Sequence, residues 1–319
     1  CDVIFANSKF FKKWHSNDEH RLYDVLRGFR KTVQKIIWFD TNDSTGTTQF
    51  NIMPFVDTYC KGQILKDRSL YNRNLYGLRV FTDYYKKLYN LSDNENAEDL
   101  ENQKKSVAVL LSGEHAHKLR VSWNSAMNEW GSYDYKWGGL IAKIRSMLPL
   151  AASYTIKFEK AGKNRPIDIN GRIGLSHLRN TVSHQRRVIT EILKSRFSAD
   201  VTKVNRGKYL KELQNSKIGI SPFGLGEISC RDFEVIINGA LLFKQDMSHL
   251  ETWPPLYVNE ETYAAFSWDL SDFENKLRGL LRDNEKIRRI SENAQRTYKY
   301  YLYGDGRIEF CNKVMDILR

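Results

Sequence analysis

The chain has 319 residues, 41% of them hydrophobic and 13% aromatic, which suits a globular enzyme of one large or two medium domains. Its 50 basic and 38 acidic residues give a formal charge of +12. That admits a nucleic acid, an acidic membrane surface or a sugar nucleotide as partner. No run of five or six Lys/Arg occurs, which argues against a dedicated nucleic-acid arm. The four cysteines, Cys1, Cys60, Cys230 and Cys311, form no C-x-x-C pair. They exclude a zinc finger or disulfide scaffold and favour a reducing, cytoplasmic setting. No signal peptide is evident and no apolar run is long enough to span a bilayer, so any membrane contact would be peripheral. The chain opens directly on a strand, which points to a segment upstream.

In chain order, residues 2–6 read as a strand. A helix over 19–34 puts Leu22, Val25, Leu26 and Phe29 on one stripe. Residues 35–39 form a second buried strand that runs straight into Asp40-Thr41-Asn42-Asp43-Ser44-Thr45-Gly46. Carboxylates and hydroxyls at a strand end are where chemistry gathers in α/β sheets. The same composition also makes an Asx-turn loop, and spacing singles out neither Asp40 nor Asp43. Residues 54–67 read as partly helical, with Asp57 and Lys61 as an i,i+4 pair. Residues 79–82 read as a third strand, 92–105 as a solvated helix or loop, and 119–123 as a strand ending at Asn124-Ser125. Trp130, Tyr133, Tyr135 and Trp137 then share a glycine-bearing loop. Such a loop suits stacking on sugar rings and equally a small aromatic core. A helix over 140–147 and a strand over 154–158 close this half. The alternation is that of an α/β unit with a Rossmann-like sheet.

Residues 161–164 have linker composition. Residues 165–170 open a second sheet, followed by Gly171-Arg172-Ile173-Gly174 and Ser176 as N-cap of the next helix. Strand, Gly-x-x-Gly turn and helix can hold phosphate, with Arg172 in reach or merely at the surface. Residues 200–204 read as a strand and 207–214 as its helix. The most informative stretch follows: a strand over 217–220, a loop over 222–226, a helix over 229–238, Gly239 as its stop and a strand over 240–243. Its carboxyl edge holds Ser221, Gly224, Gly226, Glu227, Arg231 and Glu234. Glycines let a backbone approach a ligand, Arg231 could pair with a diphosphate, and Glu234 could accept ribose hydroxyls. An i,i+3 surface ion pair between Arg231 and Glu234 is an equal alternative. Beyond Trp253-Pro254-Pro255, residues 256–258 read as a strand. Ser271 to Glu274 reads as a capping box before an amphipathic helix. A longer helix over 284–301 aligns Ile287, Ile290, Ala294 and Tyr298.

The run SPFGLGEISCRDFEVIINGALLFKQDMSHLETWPPLY resembles the donor-binding segment of two-Rossmann-domain (B-type) glycosyltransferases. It is most similar to the spore-maturation-type and exostosin-like bacterial and viral members. The segments FDTNDSTG, PFVDTYCK, FTDYY and VSWN are similar to the same group. The resemblance implies an α/β chain of two Rossmann-like domains facing a cleft. The acceptor side would be residues 1–160 and the nucleotide-sugar side 161–300, with 301–319 returning to the first domain. It places the family's arginine and glutamate on Arg231 and Glu234. Glu227 and Glu234 are seven apart where many retaining members have eight, and inverting and retaining outcomes both stay open.

The implied activity is transfer of a sugar to a glycan or lipid-linked acceptor, with the nucleotide-sugar as co-substrate and no cofactor. Arg231, with Arg172 or Lys244, would meet the diphosphate. Gly224, Glu227 and Glu234 would complete the donor site, and Asp40 or Asp43 would act as base. Asn124, Trp130 and Trp137 would face the acceptor. No Asp-x-Asp occurs, which favours charge neutralisation by protein groups over a bound metal. His115 and His117 lack further ligands for a zinc site. A nucleotide-sugar epimerase of the same plan and a basic nucleic-acid-binding module are the rivals, the second disfavoured by its missing motif.

Overall fold

A computed structural model describes residues 2–12, 14, 18–93, 109–127, 156–162, 164–175 and 179–319. Two four-stranded parallel sheets form its frame. The first runs β1 (Val3–Asn7), β2 (Lys35–Asp40), β3 (Thr58–Lys61), β5 (Leu119–Val121). The second runs β6 (Ile167–Asn170), β7 (Ser216–Ile220), β8 (Leu241–Gln245), β10 (Ala264–Phe266). A third, two-stranded sheet pairs β4 (Gln63–Leu65) antiparallel with β9 (Leu250–Thr252). The central strands are buried on both faces, and all five residues of β8 are buried, Lys244 and Gln245 included. That is the pattern of a parallel strand covered on both faces. Within each sheet the strands follow chain order, without the reversal that marks a complete doubly wound sheet.

The helices are α1 (Glu19–Arg30), α2 (Val80–Tyr89), α3 (Asn180–Phe197), α4 (Arg206–Gln214), α5 (Cys230–Ile237), α6 (Phe273–Arg282), α7 (Asn284–Tyr303) and α8 (Gly306–Leu318). In the first half Leu22 and Leu26 of α1 cover Ile36, Trp38 and Tyr59. In the second half side-chain alternation feeds two cores. Ile218, Leu241 and Phe243 meet Ile189, Leu193 and Leu277 on one face. Leu242 meets Leu213, Phe233 and Tyr298 on the other. Each such burial contributes about 1.5–3 kcal/mol. Gly239, at φ +73°, turns the chain from α5 into β8, a conformation that glycine adopts without strain.

The halves are tied in several places. Ile317 of α8 packs on Ile37 and Cys60 of the first sheet. Lys35 Nζ donates to the Leu318 carbonyl at 2.7 Å. Phe81 of α2 stacks on Phe223 at 4.4 Å, and Asp93 accepts from the Thr181 amide and hydroxyl at 2.8 and 2.9 Å. The β4–β9 ladder joins one half to the other through backbone hydrogen bonds.

Several elements differ from the sequence reading. Residues 54–67 hold only the end of a 3-10 helix (Phe50–Phe55), then β3 and β4. Asp57 pairs with Arg30 at 2.8 Å, while Lys61 is buried in β3, so the predicted i,i+4 pair does not form. Tertiary burial of Tyr59 and Cys60 outweighs local helical spacing. Residues 79–82 begin α2, whose buried Phe81 and Tyr85 follow a helical period. Helix α1 stops at Arg30, and the Gln34 amide already bonds to Asp2 at 3.0 Å. Residues 200–204 and 256–258 join no ladder. The box from Ser271 to Glu274 is absent. Asp272 turns back to the Ser267 amide at 2.8 Å, and Glu274 pairs with Arg278 at 2.8 Å. The aromatic loop with Trp130, Tyr133, Tyr135 and Trp137, the helix over 140–147 and the cap Ser176 lie outside the described residues, as do most of 92–105 and the start of 154–158. No described helix is long and apolar enough to cross a membrane.

Candidate active site

The carboxyl ends of the two sheets face each other across a cavity of about 1040 Å³. One wall is formed by Asn7 at the end of β1, residues 40–43 from the end of β2, Gly62 and Gln63 after β3, and 122–125 after β5. The other is formed by Gly224–Gly226 after β7 and by Ile228, Ser229 and Cys230 at the start of α5. Strand carboxyl ends are where open parallel sheets place ligands, and the volume holds a nucleotide-sized molecule.

On the first wall Asp40 is a buried anchor. Its carboxylate pairs with Lys61 Nζ at 3.0 Å and accepts from Tyr59 Oη at 2.6 Å and the Asn42 amide at 2.9 Å. Burial, and then the Asp40 charge, holds the Tyr59 phenol well above its usual value, so it remains a donor. Asp43, three residues on, is exposed, lines the cavity and makes no side-chain hydrogen bond or ion pair with a described residue. Of the two predicted base candidates, the geometry leaves Asp43 free and commits Asp40 to holding the loop.

The second wall is built alike. Asp232 is fully buried. It pairs with Lys244 at 3.1 Å and accepts from Ser221 Oγ at 2.5 Å, Tyr257 Oη at 2.8 Å and the Ser229 amide at 3.1 Å. These bonds fix the loop before α5. Lys244, predicted to meet the diphosphate, is instead fully buried. Desolvation lowers its pKa, and Asp232 opposes that shift.

Arg172 is likewise taken. It makes a bidentate pair with Glu212 at 2.7 and 2.8 Å and a second with Asp200 at 2.6 Å. With two carboxylates on one guanidinium, no charge remains for a diphosphate. The carbonyls of its Gly-x-x-Gly loop have another use. Arg172 O accepts from Arg231, and Gly174 O accepts from Arg186 of α3 at 2.9 Å. Arg186 also donates to the Phe223 carbonyl at 2.5 Å.

Neither Arg231 nor Arg186 forms an ion pair with a described carboxylate. Burial, and then the Arg231 charge, pushes Arg186 down to about 10, so it is still protonated at neutral pH. Two like charges that no described carboxylate pairs with can meet an anion. Arg186 adjoins the cavity at Gly224, where an added Cβ would lie 3.4 Å from its Nη2. Arg231 does not form the i,i+3 pair with Glu234. Its guanidinium lies 5.0 Å over the Tyr209 ring, while Glu234 pairs with Arg206 at 2.8 Å and does not line the cavity.

Glu227, predicted on the donor side, spans the walls instead. Fully buried, it accepts from Thr45 Oγ1 at 2.6 Å, the Thr45 amide at 3.1 Å and Ser44 Oγ at 3.1 Å. Next to it, Gly226 touches the Asp43 backbone, and an added Cβ there would lie 1.9 Å from the Asp43 carbonyl oxygen. Gln63 donates to that same carbonyl. Asn124, predicted to face the acceptor, has its side chain engaged. Its amide donates to Thr252 Oγ1 at 2.8 Å and Pro254 O at 3.1 Å, and its oxygen accepts the Ala126 amide at 2.8 Å. Trp130 and Trp137 lie outside the described residues.

Arg186 and Asp232 were not predicted. Nothing in the sequence separates Arg186 from its exposed neighbour Arg187. Asp232 could have been found from the S-x-x-D spacing of Ser229 and Asp232 at a helix start. Among the described residues no three His, Cys, Asp or Glu side chains converge as metal ligands.

No protein-family model matches the chain, and no curated protein matches it. Solved structures of similar shape include an alpha-glucosyltransferase in complex with UDP-glucose and DNA containing an abasic site, at 10% identity and a TM-score of 0.41, over 100% of this chain and 81% of that one. HepE of Anabaena in complex with UDP is similar at 10% identity and a TM-score of 0.44, over 99% of this chain and 78% of that one.

Proposed function

We propose that this chain transfers a sugar from a nucleotide-sugar donor to an acceptor hydroxyl, in the manner of the B-type glycosyltransferases that its sequence resembles, the spore-maturation-type and exostosin-like members among them. One observation carries the reading: Arg186 adjoins one wall of the cavity at Gly224 with the Arg231 charge acting on it, and an unpaired carboxylate, Asp43, stands on the other. The donor's diphosphate lies against the arginines. As the bond between the anomeric carbon and the diphosphate breaks, their charge meets the charge developing on the leaving group. The acceptor oxygen forms the new bond to that carbon, and Asp43 takes its proton. This is the inverting outcome. The arginines supply the positive charge that a metal would otherwise bring, so transfer is metal-independent. The acceptor is a glycan or a lipid-linked carrier, met at a membrane face by peripheral contact.

The test is thermal stabilisation by UDP, GDP, ADP, CMP and their sugars, with and without Mg²⁺. A nucleotide at a hundred times its dissociation constant adds about 2.7 kcal/mol. One nucleotide class should stabilise the protein without metal, and Arg186→Ala and Arg231→Ala should each remove the shift. Stabilisation by none of them would overturn the proposal.

A further inference from the structure

The first wall carries a row of aromatic rings that the donor chemistry does not use. Phe5 of β1 is 52% exposed although it sits in a sheet strand. Its ring lies 5.7 Å from Phe39, Phe39 lies 5.2 Å from Trp123, and Trp123 lies 5.1 Å from Phe310 of α8. Phe5, Phe39 and Trp123 all line the cavity. They come from β1, β2 and the stretch just after β5 and are backed by the returning helix, so the platform exists only in the folded chain.

The polar groups beside the rings are uncharged. Asn7, Thr41, Asn42 and Ser122 bring uncharged amides and hydroxyls to the lining. No Lys, Arg or His is among the described lining residues. Asp40 is neutralised by Lys61, which leaves Asp43 as the one uncompensated charge among the described residues of this wall.

We infer that Phe5, Phe39 and Trp123 form an acceptor subsite for a neutral hexopyranose unit. The C–H face of a pyranose is weakly positive and stacks on the negative face of an aromatic ring. Its hydroxyls match the surrounding amides and hydroxyls. A phosphodiester or acidic glycan would instead bring its charge toward Asp43 with no cation among the described residues of that wall to meet it. The word acceptor rests on the transfer reading; the binding of a sugar ring does not.

Saturation-transfer difference NMR on the full chain tests this without donor or turnover. The probes are methyl β-glucopyranoside, methyl β-galactopyranoside, cellobiose and lactose, with methyl β-glucuronide and decathymidylate as charged contrasts. At least one neutral sugar should receive saturation at its ring C–H protons. Its dissociation constant should rise at least about tenfold in Phe5→Ala. It should be held by Phe5→Trp, and by Phe10→Ala, a residue 78% exposed and off the cavity. Phe5→Ala changes an exposed side chain, so loss of fold is not its expected effect, and an unaltered nucleotide-induced thermal shift would verify that. Absence of signal from every neutral sugar, survival of binding in Phe5→Ala, or binding of decathymidylate alone would overturn the inference. Sugar binding lost with Phe5 in a chain that no nucleotide stabilises would keep the subsite and remove the transfer reading.

Discussion

On one side of the cleft Asp40 pairs with Lys61 at 3.0 Å and accepts from Tyr59 at 2.6 Å. On the other, Asp232 pairs with Lys244 at 3.1 Å and accepts from Tyr257 at 2.8 Å. All four charged groups are buried. Each wall therefore fixes its loop with the same device, a carboxylate whose charge is met by a lysine and whose remaining lone pairs are met by a tyrosine and a loop amide. What each wall leaves uncompensated differs: an anion, Asp43, on the first, and two cations, Arg186 and Arg231, beside the second. Buried pairs of this kind hold geometry and are poor candidates for chemistry, because removing either partner leaves a charge without solvent. The uncompensated groups are the ones with charge to give a ligand.

The largest effect should come from breaking the shared device. Asp40→Asn and Asp232→Asn each strand a buried lysine and should lower unfolding free energy by about 3–5 kcal/mol, read by urea denaturation. If Asp40→Asn instead folds with full stability and loses only turnover, Asp40 is the base and the symmetry of the walls is wrong. Asp43→Asn should do the opposite, cutting turnover by about a hundredfold or more while stability stays within about 0.5 kcal/mol.

Next in size is the contact between the walls. Gly226→Ala puts a methyl group against the Asp43 carbonyl and should cost about 1–3 kcal/mol, measured by the urea midpoint. An unchanged midpoint would mean that the loops do not touch in solution. The smallest effect is one of pH. Burial holds His249 below its ordinary value of 6.5, with Glu227 and Asp246 pulling it up and Lys66 and Lys244 pushing it down. Below about pH 6.5 the unfolded chain takes up a proton that the folded chain refuses, so stability falls as pH drops toward the lowered value. His249→Gln should flatten urea midpoints measured between pH 7 and 5. An unaltered slope would place the titration elsewhere.

Much of the frame was legible from local pattern. β1, β2, β6, β7 and β8 are short apolar runs bounded by polar or glycine residues. α5 was found nearly to the residue because Ser229 and Gly239 mark its ends. α7 showed its stripe of Ile287, Ile290, Ala294 and Tyr298, all buried. The misreadings share a cause. Residues 58–61 and 63–65 carry no strong local preference and become strands because neighbours await them, β2 and β5 for the one and β9 for the other. Arg79 to Thr82 reads as extended over four residues and as helical over ten.

The site was legible by position and not by partner. The two loops of interest, 40–46 and 221–229, could be located because strand ends with glycine, hydroxyl and carboxylate residues are visible in one dimension. Which carboxylate is spent and which is free could not be read there, since Lys61 lies 21 residues from Asp40 and Lys244 lies 12 from Asp232. Arg172 looked available until Glu212 met it, and Arg186 looked ordinary until folding set it beside Arg231 without a carboxylate. Sequence by itself determined most of the elements, because backbone preference and hydrophobic period act over a few residues. Tertiary structure alone decided the balance of charge, because Coulomb compensation depends on distance and burial in space, and neither is written along the chain.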